Sequence, residues 1–552
     1  MTDPTSPRSA GSNLPPVLRP AQPPQRSLAD LAERFGGEVR GDASGVVLTG
    51  ITLATADLRA GEAFVAIQGV NRHGAEFASA AAEAGAVAVI TDAPGADIAA
   101  AAGVPLVVVD DPRALLGDLS AWVYDTAANL PVLLATTGTN GKTSVSHLLE
   151  GILGQLGVVT GLSSTAERHI AGEVIVSRLT TPEASEFHAL LALMRERGVE
   201  AVAVEVSAQA LSRHRVDGIV FDVAGFTNLT HDHLDDYADM REYFEAKMPL
   251  FRPDRSRRAV ICLDSSYGPE VAARSEVPSV TIITPAIADD PALPADWTVE
   301  IIAERQDGTE FTLAGPAGRT LTTTVPVIGR HMAANAGLAI VMLLEAGYPW
   351  ERLSGALDGQ RIDAHLPGRT QRVSGERGPA VYVDFGHSPD AFEKTLAAVR
   401  RVTPGKVVMV FGADGDRDKT KRLDMGRTAA EGSDLLIVTD HHPRHEDPES
   451  IRATLVEGAR AARPDGVILD FSPPERAIEE AIARVGEGDA ILWAGPGHQD
   501  YRDIRGVRTP YSARELSRRA LRAAGWPVPE PSWPVPYPGD ETPLSDPARA
   551  WR

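Results

Sequence analysis

Short apolar runs alternate with amphipathic stretches along most of this chain, and this rhythm predicts β-strands separated by α-helices. The runs that predict strands lie at 46–53, 64–67, 86–91, 106–110, 132–135, 201–206, 219–226, 259–263, 380–385, 406–411, 435–439, 467–469 and 490–494. The stretches that predict helices lie at 27–35, 75–84, 145–156, 330–346, 390–402, 450–461 and 475–485. Such alternation favours parallel sheets with helices on both faces, so an α/β protein is predicted.

Breaks in this pattern divide the chain into three units and two tails. The units are predicted at 27–130, 131–366 and 367–525, and Pro367-Gly368 marks a hinge between the last two. Residues 297–327 differ from their surroundings, because short alternating runs separated by glycines favour an antiparallel patch. Residues 1–26 and 526–552 are rich in proline and lack periodicity, so both are predicted to be disordered tails.

Length, charge and cysteine content restrict the function further. A chain of 552 residues is too long for one core, which agrees with several domains. Its net charge of -21 repels phosphodiester backbones, so we expect no nucleic acid partner. The single cysteine, Cys262, excludes an internal disulfide and suits a reducing cytosol. The sequence lacks both a signal peptide and a long apolar run, so we expect a cytoplasmic protein without membrane insertion.

The segment Thr137-Gly138-Thr139-Asn140-Gly141-Lys142-Thr143-Ser144 lies where a predicted strand gives way to a predicted helix. A Gly-rich turn at such a place aims backbone N–H groups and the positive end of the helix at one spot, and Lys142 adds an ammonium group. The pattern predicts a phosphate cradle in which the Thr143 hydroxyl holds Mg²⁺. The general nucleotide motif requires glycine where this chain has Thr136, so a Gly-rich turn with a surface lysine remains the alternative.

Several polar groups further along the chain also carry candidate chemistry. Glu205 ends an apolar strand, where a carboxylate is costly unless it is paired or binds metal, so either Mg²⁺ or a structural ion pair is expected there. The polar run 226–236 follows a strand and is either part of a metal-nucleotide site or a solvated loop. Lys247 lies on an otherwise apolar helix face, and the residues alone favour a lysine that reaches to water. The charged loops 384–390 and 411–419 follow strands, where ligand contacts and solvated turns are both common.

Together and in order, these motifs resemble those of the Mur ligases, the ATP-dependent amide-forming enzymes of peptidoglycan synthesis, and most closely the MurE type (UDP-N-acetylmuramyl-tripeptide synthetases). The family's Thr-Gly-Thr-Asn-Gly-Lys-Thr cradle is complete at 137–143, and its Phe-Thr-Asn-Leu-Thr-x-Asp-His-Leu-Asp signature occupies 226–235. The further matching motifs are Thr180-Thr181-Pro182-Glu183, Glu205-Val206-Ser207, Pro367-Gly368-Arg369, Gly415-Asp416-Arg417-Asp418-Lys419 and Pro443-Arg444. The resemblance covers about 48–510. It implies an N-terminal UDP-binding α/β domain, a central parallel-sheet P-loop ATPase domain and a C-terminal Rossmann-like α/β domain.

The resemblance also implies roles for individual residues. Lys142, His233 and Lys247 match catalytic positions, and Lys247 matches a lysine that family members carry as a carbamate, an anion able to ligate metal. The implied Mg²⁺ ligands are Thr143, Glu205, His233 and the carbamate of Lys247. The implied ATP-binding residues are 137–144 together with Asn335, Arg369, Asp384 and His387. The residues implied for the UDP-linked substrate are Leu53, Thr55, Val70, Asn71, Arg72, Thr180, Thr181, Ser207, Arg213 and Arg215. The residues implied for the amino acid are Arg422, His441, His442, Arg444, Gly495 and Gln499.

The implied reaction joins an amino acid to UDP-N-acetylmuramoyl dipeptide. ATP phosphorylates the free carboxylate of the D-Glu residue, and an amine of the incoming amino acid then displaces phosphate from the acyl phosphate. We expect the enzyme to act as a monomer. Two alternatives remain open at this point: a ligase like folylpolyglutamate synthetase, and a non-catalytic nucleotide-binding relative.

The sequence departs from the family pattern mainly around the substrates. Thr52-Leu53-Ala54-Thr55-Ala56 stands for Thr-Leu-Asp-Ser-Arg, Ser207-Ala208-Gln209 for Ser-Ser-His, and His331-Met332 for Phe-Asn. Enzymes that select meso-diaminopimelate show Asp-Asn-Pro-Arg and Gly-Lys-Gly-His-Glu, which are replaced here by 441–444 and 495–499. Arg444 still suits a distal carboxylate, whereas the neutral Gln499 weakens the selection of a zwitterionic end. A diamino acid is predicted, with meso-diaminopimelate slightly ahead of lysine or ornithine.

Overall fold

The computed structural model describes residues 17–69, 71–232 and 236–530. Three sheets built mainly of parallel strands follow one another along this part of the chain, with five, eleven and six strands. Helices cover them, so the predicted α/β class is confirmed. No helix among the described residues has the length and apolar character needed to cross a membrane.

The first sheet has the order β2-β7-β6-β5-β4, and its edge strand β2 is antiparallel to β7. Its strands are β2 (Glu38–Arg40), β4 (Gly50–Thr52), β5 (Glu62–Ala66), β6 (Ala88–Thr91) and β7 (Leu106–Val108), and a separate ribbon pairs β1 (Arg26–Ser27) with β3 (Val47–Leu48). Its helices are α1 (Leu28–Phe35), α2 (Ala78–Glu83), α3 (Ala93–Ala99) and α4 (Pro112–Val123). The apolar run predicted as one strand at 46–53 is therefore divided between the ribbon and the sheet, which apolar character alone does not reveal.

The central sheet has the order β11-β10-β9-β12-β8-β13-β14-β15-β16-β17-β18. Its strands are β8 (Val132–Thr137), β9 (Thr160–Ser163), β10 (Glu167–Ile170), β11 (Glu173–Val176), β12 (Ala201–Glu205), β13 (Phe221–Phe226), β14 (Ser256–Cys262), β15 (Ser279–Ile283), β16 (Trp297–Arg305), β17 (Gly308–Gly315) and β18 (Arg319–Val325). Its helices are α5 (Lys142–Gln155), α6 (Ala184–Glu196), α7 (Ala208–Ser212), α8 (Met240–Glu245), α9 (Gly268–Arg274), α10 (Arg330–Glu345) and α11 (Trp350–Leu357).

Parallel pairing places the functional loops of this sheet together. β8 lies between β12 and β13 and is parallel to both, so the loops that follow these three strands meet at one edge. The predicted antiparallel patch is formed by β16, β17 and β18, and it extends the sheet rather than forming a separate layer. Two apolar clusters fill the opposite faces of the sheet, one around α5 and α10 and the other around α6.

The third sheet has the order β19-β20-β24-β21-β22-β23, and a hairpin of β25 and β26 follows it. The strands are β19 (Gln371–Arg372), β20 (Ala380–Asp384), β21 (Val407–Phe411), β22 (Leu435–Val438), β23 (Val467–Asp470), β24 (Ala490–Ala494), β25 (Tyr501–Ile504) and β26 (Val507–Pro510). The helices are α12 (Pro389–Arg401), α13 (Arg422–Gly432), α14 (Pro448–Ala462), α15 (Pro474–Ile482) and α16 (Ala513–Ala523).

The prediction of a disordered tail over 1–26 is wrong for the part that the structure describes. Arg19 is buried, and its Nε donates to Glu62 Oε1 at 2.6 Å. The N–H groups of Ala21 and Gln22 donate to the carboxylate of Glu196 on α6, at 2.7 and 2.9 Å. The segment thus passes from the first sheet to α6, and Arg19 supplies the cation that the buried carboxylate of Glu62 requires.

The prediction of a tail from residue 526 onward is also wrong for its first residues. Trp526 and Val528 pack against the apolar cluster formed by α15, α16 and one face of the third sheet. The Trp526 ring lies so close to Gly378 that a Cβ there would be 2.6 Å from Trp526 Cε3. An isolated tryptophan among prolines carries no periodicity, so this packing was not predictable from pattern. Residues 1–16 and 531–552 lie outside the described residues.

Candidate active site

A tight turn between β8 and α5 forms the cradle predicted at Thr137 to Ser144. Gly138 and Gly141 have φ angles of 145° and 90°, which side chains rarely adopt. Space is also lacking, because a Cβ on Gly138 would lie 2.0 Å from Thr227 Oγ1. The helix begins without a side-chain cap, so its first N–H groups are open to an anion.

The loop after β13 holds the cradle in shape. The side-chain carbonyl of Asn228 accepts from the N–H of Asn140 at 3.0 Å, and its amide donates to the Asn140 carbonyl at 3.1 Å. The hydroxyl of Thr227 donates to the same carbonyl at 2.6 Å, and the N–H of Thr139 donates to the Asn228 carbonyl at 2.9 Å. This part of the predicted polar run is therefore packed against the cradle and is not a solvated loop.

The hydroxyl of Thr143 lies between Glu205 and Arg369. It donates to Glu205 Oε2 at 2.9 Å and accepts from the Arg369 guanidinium at 2.9 Å. The same Glu205 oxygen accepts from the N–H and the hydroxyl of Thr165, at 2.8 and 2.9 Å. Glu205 is only 2% exposed, and these bonds stabilise its buried charge. Two of the predicted Mg²⁺ ligands are therefore in direct contact, and both offer the oxygen donors that Mg²⁺ prefers.

Two lysines converge on the cradle backbone. Lys142 Nζ donates to the carbonyls of Gly138 and Thr139 at 3.1 and 2.8 Å, and Lys247 Nζ donates to the Gly138 carbonyl at 3.0 Å. Lys247 is 2% exposed and lies over the Tyr243 ring at 4.2 Å, so the expectation that it reaches to water is wrong. Burial lowers the pKa of Lys247 well below its usual value, and the nearby Lys142 charge adds to this effect. The lowered pKa increases the fraction of Lys247 that is a neutral amine, the form that reacts with CO₂.

The third unit contacts the cradle through charged side chains. Lys421 Nζ lies 3.3 Å from Asp232 Oδ1, and His387 Nε2 lies 3.9 Å from Asp232 Oδ2. The side-chain amide of Asn140 donates to Asp390 Oδ2 at 3.0 Å. Burial lowers the pKa of His387, and the Lys421 charge acts in the same direction, so the imidazole is neutral at neutral pH. His233, the next predicted ligand after Asp232, lies outside the described residues.

Asn335 and Asp384 are two further residues predicted to bind ATP, and each lies against the backbone of a turn. Asn335 is buried on α10, and a Cβ on Gly141 would lie 2.7 Å from Asn335 Oδ1. The carboxylate of Asp384 accepts from the N–H of Thr370 and from the N–H of Gly386, both at 2.7 Å. Asp384 therefore holds the turn after β20 against the residues that follow the hinge.

The residues predicted for the UDP-linked substrate fall into two groups. The first group surrounds the end of β12 and consists of Thr180, Thr181, Ser207 and Arg215. The Thr181 hydroxyl donates to the Glu205 carbonyl at 2.8 Å, and Arg215 Nε donates to Glu183 Oε1 at 2.8 Å. Leu53, Thr55, Asn71 and Arg72 belong to the first unit, and Asn71 and Arg72 are exposed. Arg213 is exposed and pairs with Asp236 at 3.3 Å, and Val70 lies outside the described residues. An ion pair between Arg178 and Asp57 (2.9 Å) joins the two groups.

The predicted amino-acid pocket lies at the carboxyl ends of β21, β22 and β24. The rings of His441 and His442 are in contact, with centroids 4.2 Å apart and planes tilted by 44°, and His442 Nε2 lies 2.8 Å from Gln499 Oε1. Gly495 lies beside the His441 ring, because a Cβ there would be 3.6 Å from it. Asp414, which the sequence analysis did not single out for this pocket, lies between His441 and Arg444 at 3.4 and 3.5 Å.

Arg422 is placed differently from the rest of this set. Its guanidinium binds both carboxylate oxygens of Glu446 at 3.0 Å and donates to the Asp414 carbonyl at 2.8 Å. Arg422 is 4% exposed, so it holds the Asp414 loop from the interior of the protein.

Sequence reasoning missed two residues that complete the site. They are Thr165 and Lys421. Three further residues, Asp232, Asp390 and Asp414, lie inside the polar runs that the sequence analysis named as candidate ligand contacts, but no individual role was predicted for them. Lys421 adjoins the recognised motif at 415–419, and this adjacency was the available signal. Thr165 follows β9 without any motif, so only the parallel pairing of β9 with β12 brings it to Glu205.

Family models match all three units of the chain. The Mur ligase family, catalytic domain, matches residues 47–124, the Mur ligase middle domain matches 136–343, and the Mur ligase, glutamate ligase domain, matches 368–497. A protein of Leifsonia xyli subsp. xyli named UDP-N-acetylmuramyl-tripeptide synthetase is 56% identical over 513 residues, which cover 93% of this chain and 99% of that protein. The chain belongs to the Mur ligase family.

Other relatives agree with this assignment. A UDP-N-acetylmuramoyl-L-alanyl-D-glutamate--2,6-diaminopimelate ligase of Streptomyces coelicolor is 41% identical over 506 residues, covering 91% of this Mur ligase and 98% of that protein. A solved structure with the same enzyme name has a TM-score of 0.62 and 25% identity, covering 90% of this chain and 99% of that one. A bifunctional folylpolyglutamate synthase/dihydrofolate synthase, at 21% identity and a TM-score of 0.51 over 74% of this chain and 93% of that one, shares only the fold. This Mur ligase is accordingly an ATP-dependent ligase of the tripeptide-synthetase type, which acts in peptidoglycan synthesis.

Proposed function

We propose that this Mur ligase adds a diamino acid to UDP-N-acetylmuramoyl dipeptide at the carboxylate of its D-Glu residue, with ATP as the phosphate donor. The observation that carries the proposal is the contact of Thr143 with Glu205 in a cradle onto which Lys142 and Lys247 both converge. The relatives that carry tripeptide-synthetase names support the choice of UDP-linked substrate. We expect the enzyme to act as a cytoplasmic monomer.

The cradle would bind the triphosphate and orient its last phosphate. The N–H groups at the start of α5 and the ammonium of Lys142 offset the negative charge that develops as the phosphate passes to the D-Glu carboxylate. An amine of the amino acid then attacks the acyl carbon, and phosphate leaves as the amide forms. The contacts of Lys421, His387 and Asp390 with the central unit would help to keep water from the acyl phosphate.

The oxygen donors of Thr143 and Glu205, which are in contact, suit Mg²⁺. These two residues would hold the ion, together with the carbamate of Lys247 and with His233. Bound there, Mg²⁺ would neutralise charge on the phosphate oxygens.

Replacement of Lys142 by alanine tests the proposal. Purified protein is mixed with ATP, UDP-N-acetylmuramoyl-L-alanyl-D-glutamate and a panel of amino acids, and ADP and the ligated product are measured. We expect kcat of Lys142→Ala to fall by about 10³-fold, because one preorganised charge at the transferring group is worth a few kcal/mol. Lys406→Ala is the control, since that lysine side chain is 58% exposed and lies in the third unit. Unchanged product formation in Lys142→Ala, or ligation without ATP, would contradict the proposal.

A further inference from the structure

The carboxylate of Asp414 is charged, yet it accepts no hydrogen bond among the residues that the structure describes. His441 Nε2 lies 3.4 Å from Oδ1, and an Arg444 nitrogen lies 3.5 Å from Oδ2, which are both long contacts. Burial would raise the pKa of Asp414, but its basic neighbours His441, His442, His387 and Arg444 together outweigh it and hold the pKa below its usual value. Because burial lowers the pKa of His441 to about 3 and also lowers that of His442, the lasting positive charge among them is the guanidinium of Arg444. The side chain is 29% exposed, so an ionised carboxylate that can still accept hydrogen bonds faces the pocket.

Gln499 does not offer such an acceptor. His442 Nδ1 accepts from the N–H of Asp503 at 2.9 Å, so the neutral ring carries its proton on Nε2. That proton is donated to Gln499 Oε1 at 2.8 Å. One lone pair of the Gln499 carbonyl oxygen is therefore engaged, and the amide carries no negative charge to offer a cation.

The same hydrogen bonds argue against a metal ion in this cluster. Ligand atoms of Asp414, His441 and His442 lie within 4.8 Å of one another, a spacing that would suit a metal. Both ring nitrogens of His442 are already engaged, so this imidazole has no lone pair free for a metal. The cluster then retains only the imidazole of His441 and the carboxylate of Asp414 as candidate ligands, and the open acceptor of that carboxylate suits an organic cation better.

We propose that Asp414 binds the second, non-reacting ammonium group of the incoming amino acid and thereby makes the ligase select a diamino acid. This inference rests on the function proposed above. Asp414 thus supplies, from the loop after β21, the negative charge that Gln499 does not supply from the loop after β24. Arg444, whose Nε has no hydrogen-bond partner among the described residues, stays available for a carboxylate of the same substrate.

The chemistry of the reaction decides which ammonium group lies there. An ionised carboxylate stabilises the protonated form of an amine, whereas the attacking amine must lose its proton to become a nucleophile. The amine held by Asp414 is consequently the one that does not react.

Matched pairs of amino acids that differ by one amino group provide the test: lysine with norleucine, ornithine with norvaline, and meso-diaminopimelate with 2-aminopimelate. For each pair, kcat/KM is measured with saturating ATP and UDP-linked dipeptide in the wild type, in Asp414→Asn and in Asp424→Asn. Asp424 is a control because its side chain is 61% exposed on α13. We expect the wild type to prefer the diamino member of at least one pair by 100-fold or more. Asp414→Asn should reduce this preference by about 10- to 100-fold, the value of one hydrogen bond to a charged group, with unchanged KM for ATP.

A comparison of the two amino acids of a pair distinguishes a role of Asp414 in substrate recognition from a role in protein structure. A merely structural role of Asp414 would lower kcat/KM for both members equally, and this result would overturn the inference. A wild type that turns over both members equally well would overturn it even if the Asn variant did not fold. Stoichiometric binding of Co²⁺ by the wild type that His441→Ala abolishes would show a metal site instead. Absence of turnover with every amino acid would contradict the proposed function itself.

Discussion

Arg369 donates a hydrogen bond from the segment after the hinge to the hydroxyl of Thr143 in the cradle, at 2.9 Å. Its guanidinium also lies 4.5 Å from the centre of the Phe385 ring. One side chain therefore connects the third unit to the residue that we expect to hold Mg²⁺. Burial lowers the pKa of Arg369 from its usual value, and the charges of Asp384 and Glu205 oppose this effect.

We expect Arg369→Ala to lower kcat/KM for ATP by about 10- to 100-fold, since it removes a hydrogen bond from a charged donor. Initial rates at varied ATP concentration measure the effect. Arg319→Ala is the matched control, because Arg319 is exposed on β18. Equal ATP kinetics in Arg369→Ala and the wild type would show that the contact across the hinge has no part in nucleotide binding.

Lys247 is expected to act as a carbamate. Its buried amine has a pKa well below the usual value, so it reacts with CO₂ more readily than an exposed lysine does. We expect Lys247→Ala to lose at least 100-fold in kcat and to regain part of it when a small carboxylate such as formate is added. Lys247→Arg should be inactive and should not respond, because an arginine fills the space and brings a positive charge. ADP release at increasing formate concentration measures the rescue, and a fully active Lys247→Arg enzyme would rule out the carbamate.

His169 makes the stability of the central unit depend on pH. Its Nδ1 lies 2.7 Å from Glu150 Oε2 and its Nε2 lies 3.1 Å from Glu167 Oε2. Burial alone would lower the pKa of His169, but these hydrogen bonds outweigh it and raise the pKa to about 9. The folded pKa therefore lies above that of the unfolded chain, about 6.5. The stabilisation is complete below pH 6.5 and is lost as the pH rises through about 9.

Chemical denaturation of the wild type and of His169→Gln at several pH values measures this contribution. We expect the difference in the free energy of unfolding between the two to shrink by up to about 3 kcal/mol from pH 6 to pH 9.5. His445→Gln serves as the control, since the His445 side chain is 71% exposed. A difference that stays constant over this range would show that His169 is not charged in the folded protein.

The N-terminal segment is expected to stabilise the first unit through the pair of Arg19 and Glu62, whose side chains are 5% and 3% exposed. Arg19→Ala leaves a buried carboxylate without its cation, which costs about 3–5 kcal/mol. Arg40→Ala removes exposed ion pairs with Glu38 and Asp97 and should destabilise the protein much less, because solvent screens exposed pairs. Unfolding followed by circular dichroism compares the variants, and equal effects of the two substitutions would contradict a structural role for this segment.

Where chemistry is contained in a continuous stretch, the sequence was informative. The cradle at 137–144 needs only a strand, two glycines and a helix in order, because neighbouring residues fix its backbone. The same holds for the α/β class and for the antiparallel strands near residues 297–327, since both follow from local periodicity.

Contacts between distant residues were decided by the tertiary structure alone. Thr165 reaches Glu205 through strand pairing, Arg19 reaches Glu62 by crossing between units, and Asp414 meets Arg444 where two loops converge. Pattern reveals that a residue is polar or that a strand ends, but not which partner will lie opposite. That partner depends on the order of the strands in a sheet and on how whole units pack. Burial also contributes, because a buried charge requires a partner.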